Sequence, residues 1–380
     1  HSSAEATTQA TDPQTPTFFW NSTYNAIAHA NEVLAVIDQF DIRSDEDEAK
    51  KSAVRSEALL TRAYAHFMLV NLFAKHYDDR RSNADPGIPY VDEPETVFLK
   101  TYKRNTVQEV YDRIEEDMLL GIDLVDDSFF ANSGKYHFNR NAALAFASRF
   151  YLFKGEYDKC IEYSNMMLGA DPGAFVRDLT SDQFLNARSS IDGYSQLYTS
   201  PDLPSNILLM RKISLVQRPD FAHGPTTVLY RDLFAANPFP STTDERENPA
   251  LVKGENGVFP LRYQSLFQRS SLNSNVGTPY HIHLAFRGEE VLLNRMESYV
   301  EQNRINAAVQ DMQVLIDRRY SGPSIPLTIE LIREAFGVSG NPFVSDKFVM
   351  DIYVQLERRK EFIVQGLRWF DICLLYTSPS

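Results

Sequence analysis

Residues Asn141 to Pro172 read NAALAFASRFYLFKGEYDKCIEYSNMMLGADP, and this stretch decides the fold class. An apolar run to Phe153 is followed by Gly155, a second periodic run from Tyr157 to Leu168, and Asp171-Pro172. That order spells helix, tight turn, helix and stop. Gly supplies the turn without a Cβ penalty, and Pro cannot continue a helix. The spacing then recurs: Tyr151, Gly155, Cys160, Met167 and Pro172 stand at relative positions 0, 4, 9, 16 and 21, and Tyr299, Asn303, Ala308 and Leu315 at 0, 4, 9 and 16.

Two copies in one register resemble the tetratricopeptide pattern, in which an aromatic residue, a turn Gly or Asn, a small residue and a Pro fix two antiparallel helices. Small side chains such as Cys160 and Ala308 belong where the helices approach closely. Helical periodicity also runs from Phe18 to Phe40 through Ile27, Val33, Leu34 and Ile37. A second helix is expected from about Asp45 to Tyr77, with Ser44 as its cap and the acidic run Asp45 to Glu48 in its first turn. Thr106, with Glu109 three residues on, predicts a capping box opening a helix to Val125. Helices resume at Phe286 and run past Arg319, and another is expected over Lys347 to Leu367. The predicted fold is therefore all-α, a solenoid of about four helix pairs, each burying its apolar faces against its neighbours.

This solenoid is interrupted. Nine of the 19 prolines fall between Gly173 and Pro279, where helical periodicity largely disappears. The expected organisation is a flexible segment over residues 1–17, helices over 18–172, an irregular loop-rich insert over 173–280, helices again over 281–371, and a foreign or truncated tail over 372–380. Within the insert, Asn206 to Met210 and Tyr280 to Leu284 read as isolated strands.

Composition narrows the function. The 38 basic and 51 acidic residues leave a net charge of −13, which repels phosphate backbones and argues against a nucleic-acid partner. Cys160 and Cys373, 213 positions apart, match no disulfide framework or zinc spacing. No apolar stretch approaches the roughly 18 residues of a membrane span. The chain opens at His1 without Met, as expected of a processed protein or a fragment.

Candidate chemistry is sparse. His281-Ile282-His283 puts two imidazoles on one strand face; a metal needs a third ligand, for which only Glu289 or Glu290 is near in sequence, so we read a polar strand face and no metal. The acidic neighbours Asp126-Asp127 and Asp244-Glu245 read as solvated or capping groups, because carboxylates that cooperate across a glycosidic bond must face each other. The familiar hydrolase, zinc-protease and nucleotide-binding motifs do not occur, so neither catalysis nor a cofactor is implied. Loop tyrosines are more informative. A Tyr ring offers a flat apolar face and a polar tip, matching a sugar's C–H faces and hydroxyls. Tyr194, Tyr198, Tyr230 and Tyr263 are the leading ligand-binding candidates and Tyr77 and Tyr90 the next; for any single ring, packing beneath its loop is the competing reading.

ERRKEFIVQGLRWFD at Glu357 to Asp371 and RGEEVLLNRME at Arg287 to Glu297 resemble the SusD/RagB family of Bacteroidota. Further matching pieces are EALLTRAYAHF at Glu57, GIPY at Gly87, RNTVQEVYDRIEED at Arg104 and RNAA at Arg140. The resemblance covers about Phe18 to Asp371. It departs at Gln365, where the family has Glu, and after the WFD motif, where the family continues with a basic helix. It implies a surface-exposed outer-membrane lipoprotein, anchored through an N-terminal lipid that this chain lacks, which captures an oligosaccharide and passes it to a SusC-like TonB-dependent transporter. A peptide ligand, a tetratricopeptide-type peptide-binding adaptor and an all-α glycoside-active enzyme are the alternatives. Arg62, Glu289, Arg359, Glu361, Arg368 and Trp369 are expected to be structural, their charges paired because they are buried. A neutral glycan would bind with little sensitivity to salt.

Overall fold

The computed structural model describes residues 10–13, 15–97, 100–130, 133–213, 224–235, 237–239, 241–252 and 257–377. Residues 1–9 and 14 of the expected flexible segment, and 378–380 of the expected tail, lie outside the described residues. The chain forms two compact units, residues 1–155 with 370–380, and residues 156–369.

The first unit is helical: α1 (Pro16–Val36), α2 (Asp45–Phe73), α3 (Val107–Leu124) and α4 (Arg140–Lys154). Helix α1 starts ahead of the expected Phe18 because Thr15 caps it, accepting from the Phe18 N–H at 3.1 Å, and Pro16 stands at N1, where its missing N–H costs nothing. Ser44 caps α2 as the sequence predicts, accepting from the Asp47 N–H at 3.2 Å. The α3 capping box is also present: the Glu109 N–H donates to Thr106 Oγ1 at 3.1 Å, and the Thr106 N–H to Glu109 Oε2 at 2.9 Å. Helix α2 ends at Phe73, short of the expected Tyr77. Ala74 is extended there, and Arg104 donates both to the Phe73 carbonyl and to that of Gly87, tying the helix end to the connector. The unit's core is aromatic, with Phe67 ringed by Phe146, Phe150 and Phe153 at centroid distances of 5.6, 6.1 and 5.3 Å.

The second unit contains α5 (Tyr157–Leu168), α6 (Asp182–Ala187), α7 (Ile191–Tyr198), α8 (Thr227–Ala235), α9 (Gly288–Glu301), α10 (Ile305–Ile316), α11 (Ile329–Ala335) and α12 (Asp346–Glu361); α13 (Leu367–Thr377) begins at its end. Helix α9 packs on α5, α10 and α12. The expected repeat register is visible in the backbone. Gly155 has φ +77° and Asn303 φ +58°, so the same repeat position turns left-handed in both copies. Five residues on, Cys160 and Ala308 are fully buried, and Cys160 Sγ lies 3.7 Å from the Asn294 carbonyl of α9. The fold is mostly helical, as expected.

The insert is more ordered than its composition predicts. Its two supposedly isolated strands are partners: β1 (Asn206–Ile213) pairs antiparallel with β6 (Gly277–Arg287), and β5 (Leu266–Arg269) pairs with β6 on the other side, giving the order β1-β6-β5. Two short ladders, β2 (Thr243–Asp244) with β7 (Tyr320–Ser321) and β3 (Ala250–Val252) with β4 (Val258–Pro260), complete it. The pairing was not legible because the runs are far apart in sequence and no hairpin turn announces it. Among the described residues no helix is long and apolar enough to cross a membrane.

Candidate ligand-binding surfaces

Four of the six tyrosines singled out by sequence face inward. Tyr194 and Tyr198 stack on each other at 6.2 Å in a core with Leu179, Phe184 and Leu261. The Arg177 guanidinium lies 3.9 Å above the Tyr198 ring, and Arg287 donates to its hydroxyl at 3.1 Å. Burial pushes that hydroxyl's pKa up, but the fields of Arg177, Arg262 and Arg287 outweigh it and leave it below the usual phenol value. Tyr230 packs in a separate cluster with Leu233, Phe234 and Val258 and donates to the Glu247 carbonyl at 2.8 Å.

Tyr90, in the first unit, stacks on His66 at 3.8 Å and donates to Asp117 at 2.6 Å. His66 is fixed as one neutral tautomer: Nδ1–H donates to the Arg62 carbonyl at 2.9 Å while Nε2 accepts from the Val91 N–H at 3.1 Å. Burial holds this imidazole down to about 3. None of these four rings offers a free stacking face. The reason is general: a Tyr that nails down a loop needs the same flat face and polar tip as one that receives a sugar.

Tyr77 and Tyr263 keep partial exposure. Tyr77 tilts against Tyr111 at 4.8 Å and donates to Gln108 at 2.8 Å. Tyr263 meets His281 edge-on at 4.9 Å and donates to the Val364 carbonyl at 3.1 Å. His281 is therefore not part of a polar strand face. It is buried, and its pKa is lowered to about 4 by desolvation and by Lys212, which pairs with it across the ladder.

The insert is held by buried charges. Glu289 Oε1 accepts from the Arg177 N–H at 3.0 Å, from Arg177 Nη1 at 3.1 Å and from Arg319 Nη2 at 3.3 Å. Glu361 accepts from Arg319 at 2.9 and 3.1 Å. Arg246 forks onto Asp244 at 2.8 and 2.7 Å and lies 2.7 Å from Glu357, while Lys360 donates to Tyr320 at 2.9 Å. Burial would push the Glu361 carboxyl up, but Arg319, Arg246 and Arg287 hold it well below the ordinary range. Asp244 and Glu245 are thus buried ion-pair members, the latter with Arg188, and not the solvated or capping groups expected. Asp126 and Asp127 do behave as expected, accepting from the Ser128 and Arg140 N–H groups.

Among the motif residues, Glu289 and Glu361 are buried and paired, and Arg62 forks onto Asp117 with both contacts at 2.7 Å. Arg368 is half-buried and donates to Gln355 at 3.0 Å. Arg359 and Trp369 are exposed, Trp369 by 60%, contrary to expectation. The buried cations on α12 are Arg358 and Lys360. A signal for them existed: Met350, Tyr353, Val354, Glu357 and Glu361 mark the inward stripe at helical spacing, and Arg359 lies off it.

The outward face of the three-stranded sheet carries Tyr280, flanked across the ladders by Ile213 and Leu266, with Arg211, Gln268, Thr278 and Ile282 around it. Arg211 reaches across the central strand, its guanidinium 4.2 Å above the Tyr280 ring and hydrogen-bonded to Gln268 Oε1. Arg211, Ile213 and Gln268 are exposed.

Residues 1–152 match the SusD-like family model described as starch-binding and associating with the outer membrane. No curated protein sequence matches. Among solved structures the chain is similar to a SusD-like carbohydrate-binding protein from Bacteroides vulgatus, with TM-score 0.66, 17% identity and coverage of 94% of this chain and 70% of that one. It is similar to a SusD superfamily protein from Bacteroides thetaiotaomicron, with TM-score 0.66, 16% identity and coverage of 98% and 82%. A laminarin-binding SusD-like protein aligns with TM-score 0.56, 17% identity and coverage of 95% and 78%.

Proposed function

We propose, taking as premise that the chain is a SusD-like protein, that it captures an oligosaccharide at the bacterial surface and hands it to a TonB-dependent transporter without chemical turnover. The family match over residues 1–152, described as starch-binding and outer-membrane-associated, carries this reading. The similarity to a laminarin-binding protein supports a glycan as the ligand class. Attachment to the outer membrane would come from a lipid on the mature N-terminus.

Of the six tyrosines, we retain Tyr263 in the second unit as the direct stacking contact and Tyr77 as a separate candidate in the first, since both keep surface outside the core. Tyr194 and Tyr198 on α7, Tyr230 on α8 and Tyr90 in the connector instead pack the interior. The test is calorimetric titration of the full-length protein with a panel of oligosaccharides, analysed also for cleavage products, and co-purification with the transporter. Saturable binding without products is expected, weakened by about 1.5–3 kcal/mol in Tyr263→Ala, the scale of burying a large side chain. Accumulating products would point to an enzyme, and a peptide displacing every sugar would favour the adaptor reading.

A further inference from the structure

The three strands of the insert sheet contain Arg211, Lys212, Arg269, His281, His283 and Arg287 and not one Asp or Glu. In a chain with 51 acidic and 38 basic residues this is a local reversal of charge. Arg287 is consumed by the interior, where it lies near Glu361 and donates to Tyr198. Arg211 is not. Among the described residues it has no carboxylate partner; its exposed guanidinium rests on Tyr280 and Gln268. Gln268 and Thr278 face each other across the β5–β6 ladder on the same side, and Lys212 and Arg269 lie on the reverse face of the same strands, adding to the local positive potential.

We propose that this outward face binds an acidic glycan, one whose sugars carry carboxylate or sulfate groups. The anion pairs with Arg211, whose planar fork suits both groups, while sugar C–H faces rest against Tyr280 and Ile282 and hydroxyls meet Gln268 and Thr278. This goes beyond the glycan-capture reading, on the sheet face opposite His281 and Tyr263, and rests on it; it replaces the expectation of a neutral, salt-insensitive ligand. An aromatic ring already carrying a guanidinium gives a ligand one apolar and one cationic contact at a single place.

The experiment titrates the full-length protein in parallel with an oligogalacturonate, a neutral β-glucan oligosaccharide of equal length and phosphatidylglycerol vesicles. Oligogalacturonate is expected to bind about tenfold more tightly than the neutral sugar at about 0.1 M salt, with the difference vanishing near 1 M as the screening length falls from ~10 to ~3 Å. Arg211→Gln should remove the preference, Arg211→Lys should keep part of it, and Arg269→Gln should change it less than Arg211→Gln. Because Arg211 is exposed and forms no ion pair among the described residues, its variants should melt with the parent protein. Equal affinity for both sugars, an unchanged preference in Arg211→Gln, or binding to vesicles in place of oligogalacturonate would each overturn the proposal. Binding of the neutral sugar alone overturns it while sparing the capture reading, and binding of no sugar overturns both.

Discussion

The connector at residues 86–93 and the insert both fix irregular chain onto helices, by means that differ in depth. In the first unit several separate ties share it: Tyr24 donates to the Pro89 carbonyl at 2.8 Å, Asn31 to that of Val91 at 3.0 Å, and Arg62 to that of Asp92 at 3.1 Å and to Asn31 at 3.0 Å while forking onto Asp117. The side chains of that pair retain about a tenth of their exposure, at 10% and 12%. In the second unit Arg177, Arg246, Glu289, Arg319, Glu357 and Glu361 form a mesh at 1% exposure or less. A pair near the surface can exchange a lost partner for water. A dry mesh cannot, so its members stand or fall together.

The sharpest way to break this contrast is Arg319→Met, which strips both Glu289 and Glu361 of a partner inside the protein. A loss of about 3–5 kcal/mol in denaturant unfolding is expected, enough to unfold a marginal domain. An effect below that of Arg62→Met would reverse the ranking of the two regions. Acid should expose the same difference. Glu361 and Asp244 have folded pKa values depressed below their unfolded ones, so the stability they contribute is fully present above about pH 4.5. It is lost as pH falls from there through the folded values, and thermal melting from pH 7 to pH 3 would follow it. The Arg319→Met variant should lose much of this acid sensitivity.

Arg62→Met is the milder counterpart, expected to cost about 1.5–3 kcal/mol and to open residues 86–93 to proteolysis before the rest of the first unit unfolds. Smaller still are the turns. Gly155→Ala should cost about 1–2 kcal/mol from conformation alone, since no atom lies within 4 Å of the added methyl, whereas Asn303→Gly should be nearly neutral. Smallest is Arg359→Ala, which should stay within about 0.5 kcal/mol, while Lys360→Ala, one residue along on the buried side, should not. Equal effects of the two would place the mesh elsewhere on α12.

Helix beginnings were legible because their signals are local. Ser44, Thr106 and Glu109 act on backbone groups three residues away, and Gly155 and Asn303 on their own dihedrals. The candidate site was far less legible. The sequence does not mark Tyr280 and Arg211 as neighbours, because their juxtaposition depends on a strand pairing that no neighbouring residue encodes.

The amino-acid sequence alone determined the helical periodicity, the caps, the repeated left-handed turn and the need for buried charges to be paired, since each follows from interactions spanning a turn of helix or from the cost of desolvating a charge. Tertiary structure alone decided which tyrosines turned inward, that Asp244 and Glu245 became ion-pair partners, and that Arg211 came to lie over Tyr280. An amphipathic side chain takes its place from whatever distant surface it meets, and that meeting exists only once the strands and helices have closed around it.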